Sequence, residues 1–228
     1  MPLILCIEST AFHSSVALFE DQTLLSEQVS TTPNSHSELL GVMIDAVIKE
    51  KGNKPADLDA IAVSSGPGSY TSLRVGASLA KGMCFALDIP LITIDSLLIT
   101  AFPYFSETGT NSKVLVIPTI DARRDEAYIS IYSATGSVLK TAHPHIFTKD
   151  SFKDLDCEEV LICGNAATKA SSIIQDNRLN IKESHPSARY MGILALDSFT
   201  KNTFADVAYF EPNYIKLPNI TTPKKPLI

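Results

Sequence analysis

The sequence of 228 residues predicts an α/β protein built from two similar lobes. Three observations point there. A buried-type strand over 59–65 breaks at Gly66, Pro67, Gly68 and Ser69. A helix then runs from about residue 71 to 87, and another strand spans 90–95. Strand, Gly-rich turn, helix and strand at this length form a βαβ unit, which makes part of the sheet parallel. Each half of the chain opens with three meandering strands before helix and strand follow, which reads as an internal structural duplication. The composition, 45% apolar and 19% charged, belongs to a globular chain rather than a disordered one.

Taken in order, 3–9 is an apolar, branched first strand. Residues 14–19 and 23–30 are the second and third, with Glu20, Asp21 and Gln22 turning between them. Ser35, His36, Ser37 and Glu38 match a capping box, in which a hydroxyl caps free N–H groups and the Glu reaches back. Leu39, Leu40, Met43, Ile44, Val47 and Ile48 then recur at helical spacing, and Gly52 suits the left-handed position past the helix end. In the second half, 114–120 is a strand ending at Asp121. Residues 127–132 and 138–147 follow, split by a turn at 134–137. The strand 160–163 stops at Gly164 and Asn165, a helix covers about 166–175, and a last helix covers about 189–201. Pro, Gly, Ser and Asn gather at 102–112, so the lobes are expected at 1–103 and 104–228. The tail from 217 holds three prolines and no helical period, and is expected to be loose or partner-bound.

The net charge is −6. A protein that grips a phosphate backbone unaided carries a basic face, and the basic pairs here are Arg123 with Arg124 and Lys224 with Lys225. If nucleic acid is involved, a partner is expected to hold most of it. No apolar run approaches the roughly 20 residues of a membrane span. The N-terminal apolar run is broken by Glu8 and reads as a strand, not a secretion leader, so a cytoplasmic location is expected. Of the four cysteines, Cys6, Cys84 and Cys163 lie in apolar runs and read as small buried hydrophobes.

The most specific motif runs from Ser65 to Arg74. Glycines after a strand permit a tight turn, and the helix start that follows presents free N–H groups and a positive dipole end. Gly66, Gly68 and Ser69 are therefore candidate ligands for a nucleotide or another anion. The alternative is a tight connector with close helix packing. The Walker pattern is absent. Glu8 and Asp121 end the first strand of each half, where ligands of two-domain nucleotide-binding folds sit; solvated strand ends are the other reading. In the helix after the turn, Gly76, Ala77, Ala80 and Gly82 are small. Glycine inside a helix costs about 1 kcal/mol against alanine, so a neighbouring helix, internal or from another chain, is expected close by. His36 lacks a second ligand one turn on, because position 40 is Leu. Pro144 separates His143 from His145. No metal site, no nucleophile elbow and no recognisable nucleophilic cysteine context is found.

These residues resemble the TsaB (YeaZ) family of tRNA threonylcarbamoyladenosine biosynthesis over about residues 3–216. The likeness is strongest over 58–96, including the stretch from Gly66 to Gly76. Residues 7–10, 36–40, 120–128 and 212–216 also fit it. The family usually has Asp where Glu8 stands and Gly where Ser72 stands. The resemblance implies a duplicated actin-like (ASKHA, ribonuclease H-like) two-lobe fold with mixed five-stranded sheets. It further implies a non-catalytic subunit that pairs with a catalytic paralogue, TsaD, or with a second copy of itself. A TsaE-like ATPase would join the complex, ATP or ADP would bind the complex rather than this chain as a cofactor, and tRNA would be met only through the complex. The implied partner face on the two first-lobe helices is assigned to His36, Leu39, Leu40, Met43, Leu73, Gly76, Ala77 and Ala80. An ATP-dependent kinase or ATPase of the same fold is the alternative, resting on Glu8, Asp121 and the Gly-rich turn.

Overall fold

The computed structural model describes residues 1–10, 13–30, 36–108 and 113–216. The expected Ser35 cap and the tail from 217 lie outside the described residues, as does the side chain of His36. The first sheet contains β1 (Leu3–Glu8), β2 (Ser15–Glu20), β3 (Thr23–Val29), β4 (Ala60–Ser64) and β5 (Leu91–Ile94), in the order β3-β2-β1-β4-β5. The second contains β6 (Val114–Asp121), β7 (Glu126–Ser133), β8 (Val138–Ile146), β9 (Glu159–Gly164) and β10 (Leu179–Glu183), in the order β10-β9-β6-β7-β8. In each sheet the first strand runs antiparallel to the second and parallel to the fourth. The two sheets therefore share one topology, and the expected duplicated actin-like fold with mixed five-stranded sheets is what the chain adopts.

Period-two alternation decides how the first sheet is covered. Leu3, Leu5 and Ile7 of β1 face one layer of two helices, α1 (His36–Glu50) and α2 (Tyr70–Leu87), together with Val16, Leu18, Ile61 and Val63. Ile4 and Cys6 face the opposite side. Both faces are buried, so the strands read as continuous apolar runs in the sequence.

The opposite side is closed by residues from far along the chain. Ala188, Met191 and Ala195 pack there against Ile4, Ala17, Phe19, Ala62 and Ile92. Met191 and Ala195 belong to or abut α5 (Gly192–Thr200). At Gly192 a Cβ would stand 2.4 Å from the Phe19 ring, so only glycine admits this approach. The chain from 188 onward has thus returned to the first lobe. The expected division at 1–103 and 104–228 is corrected accordingly: the second lobe's sheet closes at Glu183, and the last helix completes the first lobe's core.

The expected junction at 102–112 is corrected in the same way. Its described part, 102–108, belongs to helix α3 (Ser96–Thr108), and 109–112 lie outside the described residues. The Asp95 carboxylate starts that helix by accepting from the Leu97 and Leu98 N–H groups at 2.8 and 3.0 Å. Burial pushes the Asp95 carboxyl above its ordinary value, and those two N–H groups oppose the shift. Helix α3 lies between the sheets. Ile99 packs on the first, while Ala101 and Tyr104 pack against Val114, Val116, Tyr132 and Leu161 of the second. The outer face of the second sheet carries α4 (Ala167–Ile173) through Ala167 and Ala170.

If Met191 is a core residue of the first lobe, Met191→Ala should cost about 2–5 kcal/mol, read as a lower denaturant midpoint for the whole chain. A loss within experimental error would contradict this placement.

Candidate functional site

The Gly-rich turn, the end of β1 and the start of α2 meet at one place. Glu8 ends β1 and is 0% exposed. Its Oε1 accepts from the Thr10 backbone N–H at 2.5 Å and also from the Thr10 hydroxyl. The Ser9 N–H donates to Ser64 Oγ at 3.3 Å, and the Ser9 hydroxyl donates to the Ser72 carbonyl inside α2 at 3.0 Å. Glu8 is therefore sealed beneath Thr10 rather than presented at a cleft, which corrects its expected role as an open strand-end carboxylate.

Each motif glycine admits an atom of this same chain. A Cβ at Gly66 would stand 2.8 Å from the Asn213 carbonyl oxygen, one at Gly68 2.6 Å from Thr10 Cβ, and one at Gly76 2.3 Å from Ser9 Oγ. All three separations are well inside ordinary van der Waals contact. Gly66 also has φ +99°, a left-handed backbone that favours glycine. Two of the turn's N–H donors are engaged as well. Gly66 donates to Ser96 Oγ at 3.1 Å and Ser69 to the Thr10 carbonyl at 3.2 Å. The Asn213 N–H donates to the Ser65 carbonyl at 2.7 Å. Gly66, Gly68 and Ser69 thus form a packing junction, the connector reading of the motif, instead of an open anion cradle.

Asp121 is half-exposed in the other lobe, at the end of β6. It pairs with Lys169 and accepts from the Arg123 N–H at 2.9 Å. Lys169 also donates to the Arg124 and Glu126 carbonyls at 2.8 and 2.7 Å. The carboxylate braces a turn. Among the described residues, no group of three His, Cys, Asp or Glu side chains is placed to hold a metal ion.

The assigned partner residues divide by helix phase. Leu40, Met43, Leu73, Gly76, Ala77 and Ala80 point inward; Leu73 is 1% and Ala80 0% exposed. Leu39 is half-buried against the same core. As a docking surface these positions are corrected, because they are the side of α1 and α2 that packs on β1, β2 and β4. The small residues at 76, 77 and 80 let α2 lie close to its own sheet. The surface that remains was missed: Gly41, Val42 and Asp45 on α1, with Ser78, Gly82 and Phe85 on α2. Val42 is 65% and Phe85 85% exposed. Among the described residues, a Cβ at Gly41 or Gly82 would meet nothing within 4 Å. The phase was available in the sequence, since an apolar stripe through 73, 77, 80 and 84 leaves 78, 82 and 85 on the far side.

Two further features bound α2. Cys84 faces inward, and burial pushes its thiol up to about 11, which removes it as a nucleophile. Arg74 leaves the first turns outward. Its guanidinium lies 4.2 Å from the Tyr70 ring centroid and donates through Nε to the Tyr214 hydroxyl at 3.3 Å. That hydroxyl contact, partly opposed by desolvation, raises the guanidinium above its ordinary value.

A model of the family described as "TsaD: tRNA N6-adenosine threonylcarbamoyltransferase" matches residues 24–222. The chain belongs to this family. Within it the chain is of the TsaB (YeaZ) group. It is 28% identical over 177 residues to the tRNA threonylcarbamoyladenosine biosynthesis protein TsaB of Bacillus subtilis, covering 76% of this chain and 75% of the relative. It is 25% identical over 226 residues to TsaB of Escherichia coli, covering 93% and 94%. The tRNA N6-adenosine threonylcarbamoyltransferase of Chromobacterium violaceum is 38% identical over 111 residues, covering 42% of this chain and 33% of that enzyme. The solved structure of YeaZ from Pseudomonas aeruginosa has the same fold, with a TM-score of 0.80 at 23% identity over 94% of this chain and all of the other.

The close approach at Gly76 is tested by Gly76→Ala. The added methyl must displace Ser9 and should cost about 1–3 kcal/mol, read by chemical denaturation. A neutral effect would contradict the packing junction.

Proposed function

We propose that this TsaB-group chain is a non-catalytic subunit of an assembly that places threonylcarbamoyl on adenosine 37 of tRNA. It pairs with a TsaD-like catalytic paralogue and supports it in the cytoplasm. The observation that carries this reading is the outward face of α1 and α2. Two glycines lie in the helices there, each costing about 1 kcal/mol against alanine, and among the described residues nothing packs against either. Val42 and Phe85 beside them are largely exposed. Exposed apolar side chains around backbone left open to close approach suit another helix pair. A paralogue of the same family carries a corresponding segment, so a pseudo-symmetric packing of helix pair on helix pair is the natural geometry. The same face serves a second copy of the chain when the paralogue is absent. A TsaE-like ATPase joins the assembly, any ATP or ADP binds the assembly with no cofactor held by this chain, and tRNA is met within the complex.

The kinase or ATPase alternative depends on an open site at Glu8 and the Gly-rich turn. Both positions are occupied by Thr10 and Asn213, which favours the scaffold reading.

Gly82→Arg separates docking from folding. Monomer stability should stay level or rise by up to about 1 kcal/mol, while copurification with a tagged TsaD-type paralogue is lost. Ala80→Arg, directed into the core, should instead unfold the chain. A Gly82→Arg chain that still paired at wild-type affinity would overturn the docking face. Tight binding and turnover of Mg-ATP by the isolated chain would overturn the non-catalytic reading.

A further inference from the structure

The chain has five arginines: Arg74, Arg123, Arg124, Arg178 and Arg189. Two are held by carboxylates. Arg178 grips Asp176 at 2.7 Å, and Arg189 grips Glu27 at 2.5 Å. The other three make no salt bridge among the described residues. They are joined by one path of contacts that crosses both lobes. Arg74 is fixed against Tyr70 and Tyr214, whose rings lie 4.6 Å apart. Two residues beyond Tyr214, Lys216 pairs with Glu126 at the start of β7. The Glu126 N–H donates to the Arg123 carbonyl at 3.2 Å, closing the turn that carries Arg123 and Arg124.

That turn is braced against its own backbone preference. Arg123 has φ +73° and Arg124 φ +51°, two successive non-glycine residues in the left-handed region. Such strain persists only where surroundings over-determine it. Here the surroundings are the Asp121 carboxylate on the Arg123 N–H and the Lys169 ammonium on the Arg124 and Glu126 carbonyls. The outcome is a fixed turn that presents two exposed guanidinium groups. Asp121 and Glu126 are matched by Lys169 and Lys216. The carboxylates left along the path are Asp125 and Glu211, against three arginines, in a chain whose net charge is −6. Guanidinium is the side chain whose fork fits phosphate oxygens, and a turn whose backbone is already fixed loses little freedom on binding.

We propose that Arg74, Arg123 and Arg124 form a strip that contacts the phosphate backbone of the substrate RNA once the chain is in its assembly. This rests on the proposed place of the chain in a tRNA-modifying complex. The contact is independent of sequence, since phosphates carry none. By itself it binds RNA weakly, measurably at low salt, and in the assembly it adds to whatever the paralogue grips.

The test compares full-length wild-type chain with an Arg123→Ala/Arg124→Ala double variant, each assembled with a TsaD-type paralogue. Assembly is read by size-exclusion chromatography and binding of a tRNA transcript by anisotropy over a series of salt concentrations. The expected result is unchanged assembly, tRNA affinity weaker by on the order of tenfold at low salt, and a log–log salt slope smaller by about 1–2. An Arg123→Lys/Arg124→Lys variant should recover most of the slope. Unchanged affinity and slope would overturn the proposal. So would lost assembly with unaltered RNA binding, which would make the strip a contact for an acidic protein surface. If the wild-type chain does not pair with the paralogue, the docking reading fails separately. The slope is then measured on the isolated chain at low salt, where an indistinguishable pair of slopes would overturn the strip.

Discussion

Helix α2 lies so close to the end of β1 that no side chain fits at position 76. The Ser9 hydroxyl, 3.0 Å from the Ser72 carbonyl, enters the space where a Cβ would stand. Much of the first lobe depends on that approach. It sets the depth at which Leu73, Ala77 and Ala80 meet the sheet, and it brings Thr10 over Gly68, where the Thr10 carbonyl takes the Ser69 N–H. It also leaves the outer side of α2 as a surface with Gly82 bare and Phe85 projecting. A phosphate-binding fold needs the first of these places open. Here the chain's own atoms fill it, and the surface capable of further contact has moved to the other side of the same helix.

The C-terminal residues complete this arrangement. After α5 the chain runs back along α2, where the Lys81 ammonium donates to the Ala208 and Phe210 carbonyls at 3.1 and 2.9 Å. Asn213 then caps the Gly-rich turn, Tyr214 meets Arg74, and Lys216 reaches the second lobe at Glu126. One strand of chain therefore lies beside the outward helix face, covers the turn and touches both lobes. Surface ion pairs of the Lys216–Glu126 kind contribute little energy individually. The backbone contacts at Asn213 and the two lysine-held carbonyls give the segment its fixed course.

Much of the architecture could be read from residue patterns. The βαβ unit, the meandering strands of each half and the stripe of α1 follow from apolar period and turn residues. Helix α3 was missed because Pro103 lies inside it, where proline normally ends a helix; the Asp95 cap was the readable signal. The strand β10 is five residues at a sheet edge, half-exposed to exposed along its length, too short for its pattern to stand out. The return of α5 to the first lobe is a long-range packing choice that no local pattern encodes. At the site, the motif glycines were correctly singled out but their partners were not. What fills the space over Gly66 lies more than a hundred residues away at Asn213. The small residues of α2 were likewise read as an outer face, when the deciding feature was their phase relative to Leu73 and Cys84.

The first lobe thus has an occupied inner junction and an available outer helix face. Hydrogen–deuterium exchange of the full-length chain, alone and with a TsaD-type paralogue, distinguishes the two sides directly. Added protection should fall on 41–46 and 78–86, with the segment 66–76 already slow to exchange and unchanged. Protection appearing instead at 66–76, whether on adding the paralogue or Mg-ATP, with the outer face unaffected, would contradict it.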